Sequence, residues 1–311
     1  MYKFEENSRA CFLGDSIIAN GHMIRRIYSY YRKNGIKLEI YNCGMPGDTA
    51  QNGLSRFYDT VLCYNPTDVV ISFGMNDIKY FLYDGRDADD SVIMERRRAI
   101  DSNIVNIRAI AQECANKGIR VTFFSSNPYD EVSEGKPCFY GTAAALREIS
   151  ERLKLVAKDF GGHLIDGHCE FGKVIKKFFK EDKVIVGEDR IHPLRTGQEL
   201  LSQIFLNGQG FENEIMINYD ELDKAANRPF DEWEEKRFEL EIAAKSTEFA
   251  EWIVCRGIKN PDIIRGIIED KIKSEENQII INLSKAYLTQ KDNEKSAKDA
   301  LINHTKNVCI L

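Results

Sequence analysis

Five short apolar, β-branched runs, at residues 9–13, 36–42, 69–73, 119–125 and 163–166, alternate along the chain with stretches of helical periodicity. In the helical stretches apolar residues recur at spacings of three and four, as at Leu146, Ile149, Leu153 and Val156. Alternation of this kind predicts a parallel sheet flanked by helices on both faces. Ile104–Ala115 ahead of the fourth run and Leu200–Phe205 near the end of the pattern read as two of those helices. Thr196-Gly-Gln-Glu199 has the spacing of a capping box and is expected to start the second of them. Open parallel sheets bind their ligands beyond the carboxyl ends of the strands, so the chemistry of such a chain belongs in the loops that follow the runs.

Those loops carry four short polar stretches. Gly14-Asp15-Ser16 follows the first run, Pro46-Gly47-Asp48-Thr49 the second and Gly74-Met75-Asn76-Asp77 the third, while Asp189-Arg190-Ile191-His192-Pro193 lies in the loop after the last. A serine hydroxyl is almost wholly protonated at neutral pH and needs a base within hydrogen-bond reach; histidine, with a free pKa of ~6.5, suits that task. Asp189 and His192 are close enough in sequence to share one tight turn, stiffened by Pro193. There the carboxylate can take the Nδ1 proton and leave Nε2 facing Ser16. The Gly47 N–H, the Asn76 amide and the Ser16 N–H are candidate donors to an oxyanion. Ser16 also stands between a strand and a helix, where the positive helix end favours nearby negative charge. Together these residues supply the parts for acyl transfer through a covalent ester.

The four stretches, in this order, resemble the blocks of the SGNH hydrolases, or GDSL esterases. Gly14-Asp15-Ser16 matches the first block with Ser16 as its nucleophile, and Gly47 falls on the oxyanion glycine of the second. Asn76 matches the asparagine donor of the third, and Asp189 and His192 match the last. Ile17 stands where the longer first-block form has leucine, one aliphatic residue for another. The resemblance spans residues 9 to about 206. It implies a three-layer α/β/α sandwich with a five-stranded parallel, flavodoxin-like sheet. It further implies a serine esterase with a Ser16–His192–Asp189 triad that needs no metal and no organic cofactor. Small O-acyl or O-acetyl esters, carbohydrate esters among them, are the expected substrates. Transfer of the acyl group to an alcohol acceptor, or a protein-interaction module built on the C-terminal helices, are the alternatives.

Several of these residues also have structural readings. Asp15 has the makings of a helix cap, and Asp77 of a cap for the segment after the third strand. Tyr80, Phe81, Leu82 and Tyr83 suit either a pocket wall or the core. His163, Asp166, His168 and Cys169 resemble a metal cluster on paper, but strand alternation is expected to send Asp166 and His168 to the face opposite His163 and Cys169. The Gly-x-Ser-x-Gly elbow of the α/β-hydrolases is absent, which disfavours that unrelated triad fold.

Charge divides the chain unevenly. Residues 212–311 hold 15 Lys and Arg against 21 Asp and Glu, whereas residues 1–211 are balanced, so the whole net charge of −6 lies in the last part. A neutral body and an acidic tail argue against nucleic acid as a partner. Arg96-Arg97-Arg98 reads as a solvated helix face. The eight cysteines form no Cys-x-x-Cys pair, which points to reduced thiols rather than a zinc site or disulfide framework. With no apolar signal core at the N-terminus and no membrane-spanning run, a cytoplasmic protein is expected. Residues 1–211 are read as the hydrolase domain and 212–311 as an acidic, mainly helical region, with apolar sets at 230–253 and 263–272. Such faces must be buried, and a homodimer through residues 212–311 is the favoured expectation.

Overall fold

The computed structural model describes residues 2–84, 88–133, 137–212, 215–235 and 237, with isolated positions 265, 266 and 269. β1 (Arg9–Gly14) leads through the single-turn α1 (Ser16–Ala19) and α2 (His22–Lys33) to β2 (Glu39–Gly44). Two short helices, α3 (Ala50–Ser55) and α4 (Phe57–Thr60), precede β3 (Asp68–Ser72). After a 3-10 turn at Tyr80–Tyr83, α5 (Asp90–Asn116) leads to β4 (Arg120–Phe124), and α6 (Thr142–Asp159) to β5 (His163–Ile165). α7 (Gly167–Phe179), α8 (Arg195–Gly208) and α9 (Tyr219–Asn227) follow.

All five strands pair in parallel in the order β2-β1-β3-β4-β5, so the expected α/β sandwich with its five-stranded sheet is the observed one. The central strands read as unbroken apolar runs because both of their faces are covered. Ala10 to Leu13 in β1 and Val69 to Ile71 in β3 are all buried. On one face Phe12 meets Phe205 of α8 with ring centroids 5.2 Å apart, and Phe124 of β4 meets the same ring edge-on at 5.6 Å. On the other face the Cys11 thiol turns toward the Val61 carbonyl below α4. α2 and α7 flank α8 on the first face, and α3, α5 and α6 pack together on the second.

α8 is buried almost all the way round, from Thr196 to Leu206, because α9 covers the side that the sheet and α2 leave open. That cover corrects one sequence reading. The helix begins at Arg195 with no side-chain cap, so Thr196 and Glu199 form no capping box. Thr196 Oγ1 instead donates to Asp223 of α9 at 3.1 Å, and Glu199 is spent on an internal ion cluster.

The compact unit also runs to Glu234, beyond the boundary at residue 211 suggested by charge. Composition does not register the reason, which is electrostatic. Arg26 of α2 donates from Nε to Glu199 at 2.7 Å and from Nη1 to Glu234 at 2.6 Å, and its Nη2 reaches the carbonyls of Ala225 and Ala226. Arg228 binds both oxygens of Glu234 at 2.8 Å. Lys33 and Ser29 hold Asp231, each at 2.6 Å. Burial would raise the Asp231 carboxyl, but Lys33 and Ser29 outweigh it and hold it down to about 2. The rest of the helical reading, at 238–253 and 263–272, and most of the region 212–311 read as a homodimer surface lie, apart from the isolated positions, outside the described residues.

Arg97 and Arg98 are exposed on α5, as a solvated face requires, whereas Arg96 reaches back to the Leu82 carbonyl and lies over the Tyr83 ring. Among the described residues no helix is long and apolar enough to cross a membrane.

Removing one partner of a buried ion pair leaves the other charge uncompensated, a loss of about 3–5 kcal/mol. Glu234 is fully buried, so Glu234→Ala should lower the unfolding free energy of the full chain by about 3 kcal/mol in urea. A change below about 1 kcal/mol would show that the segment to Glu234 is not an integral part of the first unit.

Candidate active site

The site stands on the end of β1. In the register of the sheet Gly14 lies between Gly44 of β2 and Ser72 of β3, and α1 crosses directly over this row. A Cβ on Gly14 would meet Ile18 Cγ1 at 2.4 Å and the Ser72 carbonyl at 2.6 Å; one on Gly44 would meet the Ala19 nitrogen at 2.4 Å. Glycine at both positions lets α1 settle onto the strand ends. Asp15 caps α1, its carboxylate accepting from the Ile17 N–H at 2.9 Å, so the capping role read for Asp15 is the observed one. Ser16 is the first residue of the helix and half-buried.

Ser16 Oγ lies 2.7 Å from His192 Nε2, and His192 Nδ1 lies 2.5 Å from Asp189 Oδ2. The second oxygen of Asp189 accepts from the backbone N–H of Ile191 and of His192, both at 3.0 Å. Burial alone would raise the Asp189 carboxyl, but the bonds from His192 and Ile191 prevail and hold it below the usual carboxylate range. A charged Asp189 fixes the proton on Nδ1 and leaves Nε2 to accept from the serine hydroxyl. Both Asp189 and His192 are about half exposed, at 46% and 47% of their side chains, so the site is open to water.

The loop that carries them is a closed turn. Val186 bridges Pro193, Gly187 N–H donates to the His192 carbonyl at 2.7 Å, and Leu194 N–H to Ile185 at 2.9 Å. At its tip Arg190 adopts a left-handed φ of 65°, a strained state for a non-glycine residue. The loop after β4 holds it there. Asp130 N–H donates to the Arg190 carbonyl at 2.9 Å, Arg190 Nη1 donates to the Asp130 carbonyl at 3.0 Å, and Asn127 Nδ2 reaches the Ile191 carbonyl at 3.3 Å. Sequence reading missed Asn127 and Asp130, which belong to no polar motif that signals chemistry, and gave Arg190, inside the last motif, no role of its own.

The remaining residues meet across the ends of β2 and β3. Gly47 has φ +84°, with open space where a Cβ would be, so the left-handed backbone rather than crowding calls for glycine. Met45 N–H hangs this loop from the Gly14 carbonyl at 3.0 Å. Asn76 Nδ2 donates to the Asp48 carbonyl at 2.8 Å; an amide nitrogen carries two hydrogens, so one remains for a further acceptor. Beneath them Arg56 binds the Asp48 carboxylate at 2.7 Å, the Cys43 carbonyl at 2.8 Å and the Gly14 carbonyl at 3.3 Å. Arg56 was also missed, since a lone arginine in a helical stretch gives no sign that it ties three loop ends together.

Asp77 has a structural part: it accepts from the Ala50 N–H at 2.9 Å and so supports the start of α3. In the aromatic stretch Tyr83 is buried in the core and Phe81 is exposed, with Tyr80 against Phe139 at 5.6 Å. His163 bonds the Gly208 carbonyl and stacks on Tyr2. The strand alternation invoked for the His163–Cys169 stretch fails, because β5 ends at Ile165 and Asp166 caps α7. Among the described residues no three His, Cys, Asp or Glu side chains form a metal-ligand set.

Residues 12–200 match the GDSL-like lipase/acylhydrolase family. The chain belongs to that family, and it is a carboxylic-ester hydrolase. It is similar to an acetylxylan esterase of Geobacillus stearothermophilus, 24% identical over 202 residues that cover 64% of this chain and 83% of the relative. A crystal structure of an acetylxylan esterase from Geobacillus stearothermophilus superposes with a TM-score of 0.53 at 20% identity, over 68% of this chain and 97% of the other. A gut microbial diltiazem-metabolizing enzyme superposes with a TM-score of 0.63 at 27% identity, over 68% of this chain; this chain spans about half of its length, 48%.

Burial pushes the Asp15 carboxyl up to about 7, with Asp77 and Asp48 adding to the rise against the Ile17 N–H and His192. In the unfolded chain it returns to about 3.9. The folded state therefore holds a proton in the window between, and the stability this proton confers is lost as pH rises toward 7. Asp15→Asn should remove this slope. Between pH 5 and 8 the wild type should lose roughly 2–3 kcal/mol of unfolding free energy that the variant keeps, measured in urea. Equal losses in both proteins would mean that Asp15 is ionised in the fold.

Proposed function

We propose that the chain is a serine esterase that removes small O-acyl groups, acetyl foremost, from carbohydrate hydroxyls. The observation that carries this reading is the unbroken path from Ser16 Oγ through His192 to Asp189, with contacts of 2.7 Å and 2.5 Å. Ser16 Oγ attacks the ester carbonyl carbon while its proton passes to His192 Nε2. The negative charge on the carbonyl oxygen is met by the Gly47 N–H, the free hydrogen of the Asn76 amide and the Ser16 N–H at the positive end of α1. Collapse of the adduct expels the alcohol, which takes the proton from His192. Water then attacks the acyl-Ser16 ester, giving its proton to His192, and the carboxylic acid leaves as Ser16 regains its hydrogen.

The half-exposed triad favours water as the acyl acceptor over a second alcohol, and so supports hydrolysis rather than transfer. The acetylxylan esterase relative supports acetyl esters on sugars as the substrate class. The six described cysteines form no disulfide, which supports a reducing, cytoplasmic setting. Dimerisation through the region after residue 211 is part of the same reading, and sedimentation of the full chain at a dimer mass would support it.

Ser16→Ala and His192→Ala should each reduce hydrolysis of p-nitrophenyl acetate by about 10³-fold or more with the circular dichroism unchanged. Turnover near the wild-type level in folded Ser16→Ala would overturn the mechanism. Asn76→Ala should lower kcat by about 10²-fold with little change in KM, because its amide acts on charge that develops after binding. A change in KM alone would make Asn76 a substrate-binding residue instead.

A further inference from the structure

α1 is a single turn, too short to satisfy all of its own carbonyls. The Ala19 and Asn20 N–H groups donate to the Asp15 and Ser16 carbonyls at 2.9 Å and 3.1 Å. The Gly21 N–H, which a longer helix would offer to the Ile17 carbonyl, goes to Ile18 at 3.1 Å. Gln198 of α8 fills the gap. Its Nε2 donates to the Ile17 carbonyl at 3.1 Å, across a separation of 181 residues. Gln198 is only 1% exposed, and its Oε1 is enclosed with no partner among the described residues, so this one bond is what the amide contributes.

Ile17 is joined to Ser16 by one peptide, and Gln198 is tied almost as closely to His192. The Gln198 N–H donates at 2.8 Å to the carbonyl of Leu194, just past the histidine, and the Leu194 N–H holds the Ile185 carbonyl at the base of the loop. Gly197 lets α8 press on that base, for a Cβ there would meet the Ile185 carbonyl at 2.3 Å and Pro193 Cβ at 2.8 Å. The result is a closed ring. From Ser16 it runs to Ile17, across to Gln198, through Leu194 to His192, and back over the 2.7 Å contact between His192 Nε2 and Ser16 Oγ. Two hydrogen bonds of this ring cross between the segments, the Gln198–Ile17 bond and the Ser16–His192 contact, so a change in the first is felt at the second.

We propose that Gln198 is a positioning residue for the esterase reaction: by bonding the Ile17 carbonyl it sets α1 against α8 and fixes Ser16 Oγ within reach of His192 Nε2. The inference rests on the esterase reading above. Gln198 itself touches no reacting atom. Proton transfer from the serine requires a separation of about 2.6–3.2 Å, and a misplacement of about 1 Å costs on the order of 10²-fold in rate. α8 is held to α2 by Glu199 and to the sheet by the Phe205 ring, independently of Gln198. Loss of the amide therefore releases α1 from α8 and leaves the packing of α8 in place.

The test uses two variants of the full chain, Gln198→Met, which keeps the length and removes the donor, and Gln198→Asn, which keeps the amide one methylene short of the carbonyl. With p-nitrophenyl acetate, each should lower kcat about tenfold or more at unchanged KM, with the circular dichroism unchanged. Should Gln198→Met fail to fold, Gln198→Asn carries the same comparison. The rate at which Ser16 is phosphorylated by diethyl p-nitrophenyl phosphate should fall in parallel, because that step needs the serine and histidine and no carbohydrate contact. In a His192→Ala background, Gln198→Met should change the residual turnover little, since the contact it serves is already gone. Wild-type kcat in the folded variants, a loss confined to KM, or a full further loss on top of His192→Ala would each overturn the proposal. Ser16→Ala separates the two readings. Wild-type turnover in that variant defeats the esterase reading itself, whereas its loss alongside a wild-type kcat in Gln198→Met defeats this inference alone.

Discussion

The close contact of α1 with the ends of β1 and β2 is the constraint on which the rest of the site depends. Two hydrogens stand where side chains would be, at Gly14 and Gly44, and the helix comes within van der Waals reach of the strand ends because of them. That approach sets Ser16 at the first position of a helix, at the mouth of the sheet, and buries Asp15 beneath it. The same Gly14 carries the next layer of the site through its carbonyl, which receives both the Met45 N–H and the Arg56 guanidinium. The glycine loop with Gly47 thus hangs from the strand that presents the serine.

His192 reaches Ser16 from 176 residues further along the chain, and its position is secured differently. The serine stands on regular structure, while the histidine rides on a turn with a left-handed residue at its tip. Strain of that kind, of order 1–3 kcal/mol, persists only where the surroundings over-determine it. Here the reciprocal backbone and side-chain bonds between Arg190 and Asp130 do so. The path from Ser16 through His192 to Asp189 is therefore a meeting of two supports, one built on β1 and one braced by the loop after β4.

Buried charge shapes the rest of the molecule. Asp15 and Asp77, below the site, are pushed up to about 7 and about 6 by burial, so that each carboxylate is held in the fold at a cost in stability. The Arg26, Glu199 and Glu234 cluster is the opposite case, with charges fully compensated and fixing the segment 228–234 to α2. That is why the first compact unit passes the point where the composition changes. Net charge counts residues along the chain and carries no record of which of them meet in space.

The sequence by itself determined the sheet, its parallel sense and the loops in which chemistry would lie, because strand and helix periodicities are local and differ in period. It also pointed to Ser16, Gly47, Asn76, Asp189 and His192 as candidates, since each sits in a short motif after a strand end or in the last loop. Only the tertiary structure decided what holds them. Asn127, Asp130 and Arg190, and Arg56 beyond its pair with Asp48, act through backbone carbonyls and N–H groups of other segments, and a bond to a backbone group leaves no pattern in residue identity. The same reason explains the misread cap at Thr196 and Glu199. The spacing was right for a capping box, but α2 and α9 supplied other partners for both side chains, and long-range hydrogen bonds overrode the local motif.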